Sequence, residues 1–145
     1  TANEQIDTTQ YTQVNETKET DIKIENGVII IDSYNFYNAL NKIYVEIDNY
    51  MDKPIEVVAF VYKDEEQFSD TQFVPARMLM SCCAADMVPV GLVCNYDKTS
   101  ELVENSWVKV EGRLGVVDYN GKSMPCINAD KITETDKPAQ EYIYP

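Results

Sequence analysis

Apolar and polar positions change their period several times along this chain, and each change marks an element. Ile22 and Ile24 alternate with charged residues, Asn26-Gly27 follows, and residues 28–31 are continuously apolar. That order predicts a small hairpin turning at Asn-Gly, with a register the pattern does not fix. Between 33 and 52, Phe36, Leu40, Ile43, Ile47 and Met51 recur at steps of three and four, the period of a helix with one buried face. Asp32 or Ser33 can cap its start. Pro54 stops it, because the ring disfavours helical angles at Lys53 and offers no backbone N–H.

From 55 to 62 the period becomes two: Ile55, Val57, Ala59 and Val61 take one face of a strand, and Val58, Phe60 and Tyr62 the other. A polar, acidic connection over 63–71 leads to a second strand over 72–80, where Pro75 argues for an edge or a bulge. The segment Cys82-Cys83-Ala84-Ala85-Asp86 reads as a turn or a single helical turn. Residues 88–94 form a third strand with Val88, Val90, Leu92 and Cys94 on one face, and 95–106 read as a polar loop with a short helix. The clearest alternation follows over 107–118, with Val108, Val110, Leu114 and Val116 opposed to Trp107, Lys109, Glu111 and Arg113; Gly112 permits a bend. Asn120-Gly121 is a strong hairpin signal, and 122–132 return as the fifth strand. The expected fold is mainly β: a five-stranded OB-fold-like barrel preceded by one amphipathic helix, with a two-sheet sandwich as the alternative.

Composition adds bounds. Residues 1–25 are rich in Thr, Asn, Gln and Glu and read as a flexible polar linker, leaving 26–145 as one OB-fold-like domain with an N-terminal helix and a C-terminal tail. Asn15-Glu16-Thr17 matches a glycosylation acceptor, a tripeptide common by chance. The 25 acidic against 12 basic residues give a net charge of −13, which opposes binding to nucleic acid or to anionic lipid head groups. Trp107 and the ten tyrosines are therefore read as packing residues rather than as a stacking surface for a nucleic-acid strand. No run reaches the roughly 18 apolar residues of a membrane span.

Candidate chemistry concentrates between Arg77 and Cys94 in a chain without histidine. The absence of His removes any Ser-His or Cys-His relay, no Gly-rich phosphate loop occurs, and no Cys-x-x-Cys pair is present, so an enzyme is not expected. Cys82, Cys83 and Asp86 could hold a soft metal such as zinc, with Cys126 or Cys94 as a further donor, although adjacent cysteines are poorly spaced for a zinc pair. Alternatively the cysteines are small buried apolar residues, or Cys82 or Cys83 forms a disulfide with Cys94 or Cys126. Arg77 either lowers a thiol pKa or bridges Asp86, and Asp86 either ligates or caps a turn.

Taken together, ARMLMSCCAADMVPVGLVC, WVKVEGRL, PCINADKI and the ending EYIYP resemble the C-terminal domain of the YcgQ-like bacterial family of proposed permease subunits, over residues 29–145. The family motif falls on Arg77, Cys82, Cys83 and Asp86. The resemblance implies Gly where Ala59 stands and Pro where Glu141 stands. The resemblance implies a membrane-anchored protein whose soluble domain is extracytoplasmic, with a multi-span permease as partner. It also implies that the anchor lies upstream of Thr1 and that the polar stretch links it to the domain. It supplies no biochemical role for the motif.

Overall fold

The computed structural model describes residues 22–81 and 87–145. The linker expected over 1–25 and the Cys82–Asp86 turn therefore fall mostly or wholly outside the described residues. Strands β1 (Lys23–Glu25) and β2 (Val28–Ile31) form the expected hairpin, with Lys23 opposite Ile30 and Glu25 opposite Val28. Asn26 and Gly27 both take positive φ, 53° and 81°, the conformation that makes Asn-Gly favourable in a two-residue turn.

Helix α1 (Phe36–Val45) buries Phe36, Ala39, Leu40 and Ile43 on one face. It begins later than the periodicity suggests, because Asp32 serves a turn ahead of it. The Asp32 Oδ1 accepts from the Tyr34 and Asn35 amides, and the Asn35 side chain in turn accepts from the Asp32 amide and donates to the Ile30 carbonyl. The helix also ends early, at Glu46, and a separate helical turn, Ile47–Tyr50, carries the rest of the pattern.

Strand β3 (Pro54–Tyr62) starts at the proline and alternates as expected, burying Ile55, Val57, Ala59 and Val61. Its pairing with β2 is parallel, so β2, α1 and β3 make a βαβ crossover, which a parallel pair requires. Strand β4 (Gln72–Leu79) pairs antiparallel with the other half of the same β3 edge. The third expected strand is two, β5 (Val88–Gly91) and β6 (Val93–Asn95), broken at Leu92. β5 pairs with Ala76–Leu79 and β6 with Gln72 and Phe73, so Pro75 sits on a strand with neighbours on both sides, opposite the break. A 3₁₀ turn, Thr99–Glu101, leads to β7 (Trp107–Tyr119), and Asn120-Gly121 turns it into β8 (Lys122–Glu134). Here too both turn residues have positive φ, 52° and 82°.

The ladders close a five-stranded ring in the order β3, β4, β6, β8, β7 and back to β3, with β6 and β8 parallel. Strands β3, β4 and β6 follow one another and β7 returns beside β3, which is a Greek key. This is the mainly β, OB-like barrel expected, with one helix ahead of it. Gly112 sits at a register shift between β7 and β8, where a Cβ would lie 2.2 Å from the Asn128 carbonyl oxygen. A side chain cannot enter, so the strands cross closely there and the barrel bends.

Candidate functional site

Arg77 is fully buried, the largest such side chain among the described residues. Its Nε donates to the Glu141 carbonyl at 3.3 Å, Nη1 to the Val58 carbonyl at 3.2 Å, and Nη2 to the Ser33 hydroxyl at 2.8 Å and to the Gln140 carbonyl. The rings of Phe36 and Trp107 lie 5.8 and 5.2 Å from its Cζ. The planar fork of donors thus joins the entry to α1, strand β3 and the C-terminal segment at one point. No described carboxylate is in ion-pair contact with it. Burial pushes the guanidinium pKa below its ordinary value, while the charges of Asp32 and Glu141 pull it back up.

The C-terminal segment is held on both sides of this point. The Ile143 amide donates to the Met78 carbonyl at 3.0 Å, the Met80 amide donates to the Ile143 carbonyl at 2.9 Å, and the Ile143 side chain is buried in the core. Gln140 and Ser33 exchange two further hydrogen bonds. The tail is therefore fastened by a parallel bridge between Ile143 and Leu79 at the end of β4. Sequence reasoning treated it only as a tail. The lone Ile143 between Tyr142 and Tyr144 was the available signal.

Cys82, Cys83 and Asp86 lie outside the described residues, so their contacts with Arg77 are not part of this geometry. Cys94 and Cys126 are buried free thiols. They point to opposite faces of the barrel wall: Cys94 is registered with Ile127 and Cys126 with Val93, and neighbouring residues of a strand alternate sides. Cys94 belongs to the core, whereas Cys126 meets the Asn95 and Asn128 side chains at 3.7 and 3.9 Å. Burial pushes both thiols up in pKa, Cys94 the further; the Gly115 backbone offsets part of the shift at Cys126. Cys94 pairs with Phe73 near the start of β4, a strand that runs on to Leu79. Among the described residues no three Cys, Asp or Glu side chains gather into a metal-binding group.

A second feature lies on the outer surface. A cleft of about 450 Å³ runs between α1 and the β4–β5 face, lined by Tyr37, Tyr44, Tyr62, Phe68, Val74 and Pro89 among others. It continues into a smaller one of about 210 Å³ reaching Val93, Val117, Tyr119 and Met124. The lining combines β4 and β5–β6 with the β3–β4 connection and the β7–β8 hairpin. In OB folds the corresponding surface, the face of the second and third strands with its flanking loops, is the usual ligand face.

These strands define a small OB-like β-barrel domain. The chain belongs to the family described as the DUF1980 C-terminal domain, whose profile matches residues 5–145, in keeping with the resemblance carried by the motif. A protein of Streptococcus mutans serotype c (strain ATCC 700610 / UA159) named "Putative two-component membrane permease complex subunit" is 28% identical over 122 residues, which are 82% of this chain and 44% of that protein. The chain thus spans less than half the length of that relative. Among solved structures, the crystal structure of a small single-stranded DNA-binding protein from Streptomyces coelicolor aligns with 17% identity and a TM-score of 0.34, over 58% of this chain and 94% of that one. A score this low carries no weight for fold or function.

Proposed function

We propose that this domain is a non-catalytic, extracytoplasmic accessory part of a membrane permease subunit and that it works by binding a partner or ligand. The observation that carries the reading is kinship: the relative named as a subunit of a permease complex matches 82% of this chain. The side chains support a binding role. The chain has no His, the two described thiols are buried and held protonated, and Arg77 is committed to the fold. A net charge of −13 opposes nucleic acid as the partner. No described helix is long and apolar enough to cross a membrane.

The test is isolation of the tagged full-length subunit from membranes in mild detergent. Recovery of the neighbouring permease in stoichiometric amount is expected; recovery of the subunit alone under every mild condition contradicts the reading. Sidedness is read by labelling Tyr34→Cys, at a position 80% exposed, with a membrane-impermeant maleimide on intact cells. Labelling above the parent protein is expected, and labelling only after lysis contradicts an extracytoplasmic domain.

A further inference from the structure

The cleft between α1 and β4–β5 and the smaller one it continues into carry no Lys or Arg among their lining residues, and the smaller one opens at Phe68 and Gln72 into a third cleft of about 410 Å³. That cleft presents Asp64, Glu65, Asp70 and Asp97 against the single cation Lys63. An apolar, tyrosine-lined trough therefore ends in an acidic one, with the ring of Phe68 at the junction. Strand β5 lies beside the trough and has β4 as its one ladder partner among the described residues. Val88 on it is 48% exposed, and Pro89, Val90 and Gly91 line the cleft. An exposed sheet edge beside aromatic side chains suits an extended polypeptide, whose alternate residues face the surface. The carboxylates set the charge such a polypeptide must carry, since like-charge juxtaposition opposes an acidic one.

We propose that the joined clefts form a docking groove for a basic, extended segment of a partner polypeptide: its apolar side chains enter between Tyr44, Phe68 and Val74, and its Lys or Arg side chains reach Asp64, Asp70 and Asp97. The groove discriminates by sign and by shape together. An acidic segment is repelled at the carboxylate end, and a basic segment without apolar side chains leaves the trough unfilled. This inference stands apart from the permease reading, because it concerns the chemistry of the occupant and not its source.

The test is fluorescence anisotropy of a labelled peptide alternating Lys with Leu, titrated with the full chain, beside the same peptide with Glu in place of Lys. Saturable binding of the Lys peptide is expected, with none of the Glu peptide. Phe68→Ala should weaken binding roughly tenfold, the scale of losing one aromatic anchor, and Asp70→Lys several-fold with a shallower salt dependence. Tyr119→Ser, at an exposed hairpin position, serves as a second trough variant should Phe68→Ala unfold. Binding that survives loss of both aromatic side chains marks adsorption to an acidic surface and overturns the proposal. So does absence of saturable binding, or displacement of the peptide by a neutral oligosaccharide such as maltotriose, which would make the trough a sugar site.

Discussion

The Cζ of Arg77 lies 5.2 Å from the centre of the Trp107 ring, and the same guanidinium hydrogen-bonds main-chain carbonyls of Val58, Gln140 and Glu141. This motif residue fastens three parts of the chain. Lysine offers a point charge with no planar fork, so Arg77→Lys cannot restore these contacts. Both Arg77→Lys and Arg77→Met are expected to lower stability by about 3 kcal/mol or more in urea unfolding, the range for breaking a buried hydrogen-bonded network. A loss below about 0.5 kcal/mol, typical of a surface change, contradicts the clasp.

The tail should contribute to stability in its own right. Ile143 is 1% exposed, its amide bonds to Met78 of β4, and its carbonyl accepts from Met80 just past the strand. Ile143→Ala is expected to cost about 2–4 kcal/mol by loss of buried methyl groups. In hydrogen exchange the Ile143 amide should lose more protection in Arg77→Met than the amides of residues 112–118 of β7, which make none of the Arg77 contacts. Equal protection in both proteins would separate the tail from Arg77.

Two glycines should respond for different reasons. A Cβ at Gly112 would sit 2.2 Å from the Asn128 carbonyl oxygen and 2.8 Å from the Ala129 Cα, both backbone atoms. Gly112→Ala is expected to cost about 2–3 kcal/mol, through overpacking that only strand separation relieves. Gly121 has open space and a φ of +82°, so Gly121→Ala should cost about 1 kcal/mol from backbone strain alone. The reverse order in denaturant midpoints would contradict the strand crossing at Gly112.

Thiol ionisation links to stability with a definite sign. Cys94 and Cys126 have folded pKa values above the ordinary 9.0, because burial disfavours thiolate. Below 9.0 both states hold the protons and the contribution is complete; above it the unfolded chain ionises first, and stability falls as pH rises toward the folded values. The stability difference between wild type and Cys94→Ala should thus shrink between about pH 8 and pH 10. At neutral pH, iodoacetamide should leave both residues unmodified in the folded protein, read by peptide mass, and modify them on unfolding. Rapid labelling of Cys94 in the native state contradicts its place in the core.

Local signals in the sequence carried much of this architecture. Both Asn-Gly turns and the alternation of β3 and β7 follow from local preferences, and the structure has each of them; the helix expected to run on to Pro54 instead ends at Val45, and Pro54 opens β3. The break at Leu92 was not legible, because residues 88–94 are apolar throughout and the interruption arises where β4 changes partner. The cage around Arg77 was also hidden: Ser33, Val58 and Gln140 are remote in sequence and contribute generic hydroxyl and carbonyl groups. The same holds for the cleft, whose Tyr37, Tyr44 and Tyr62 looked like ordinary packing residues until α1 and β5 were brought together. Cys94 and Cys126 were legible as thiols but not as residues on opposite faces, since that depends on the β6–β8 register.

The proposed permease partnership and the proposed groove meet if the permease supplies the segment that docks there. Site-specific photo-cross-linking in membranes tests this most directly, with the reactive residue at Gln67, which lines both clefts of the apolar trough, and at Lys23 on the β1 edge, which lines none of the three clefts, as control. The predicted result is a covalent adduct from position 67 that contains peptides of the neighbouring permease and is lost in Phe68→Ala, with little from position 23. Cross-linking to the permease from position 23 but not from 67 would contradict the groove, and no permease adduct from either position would contradict the partnership itself.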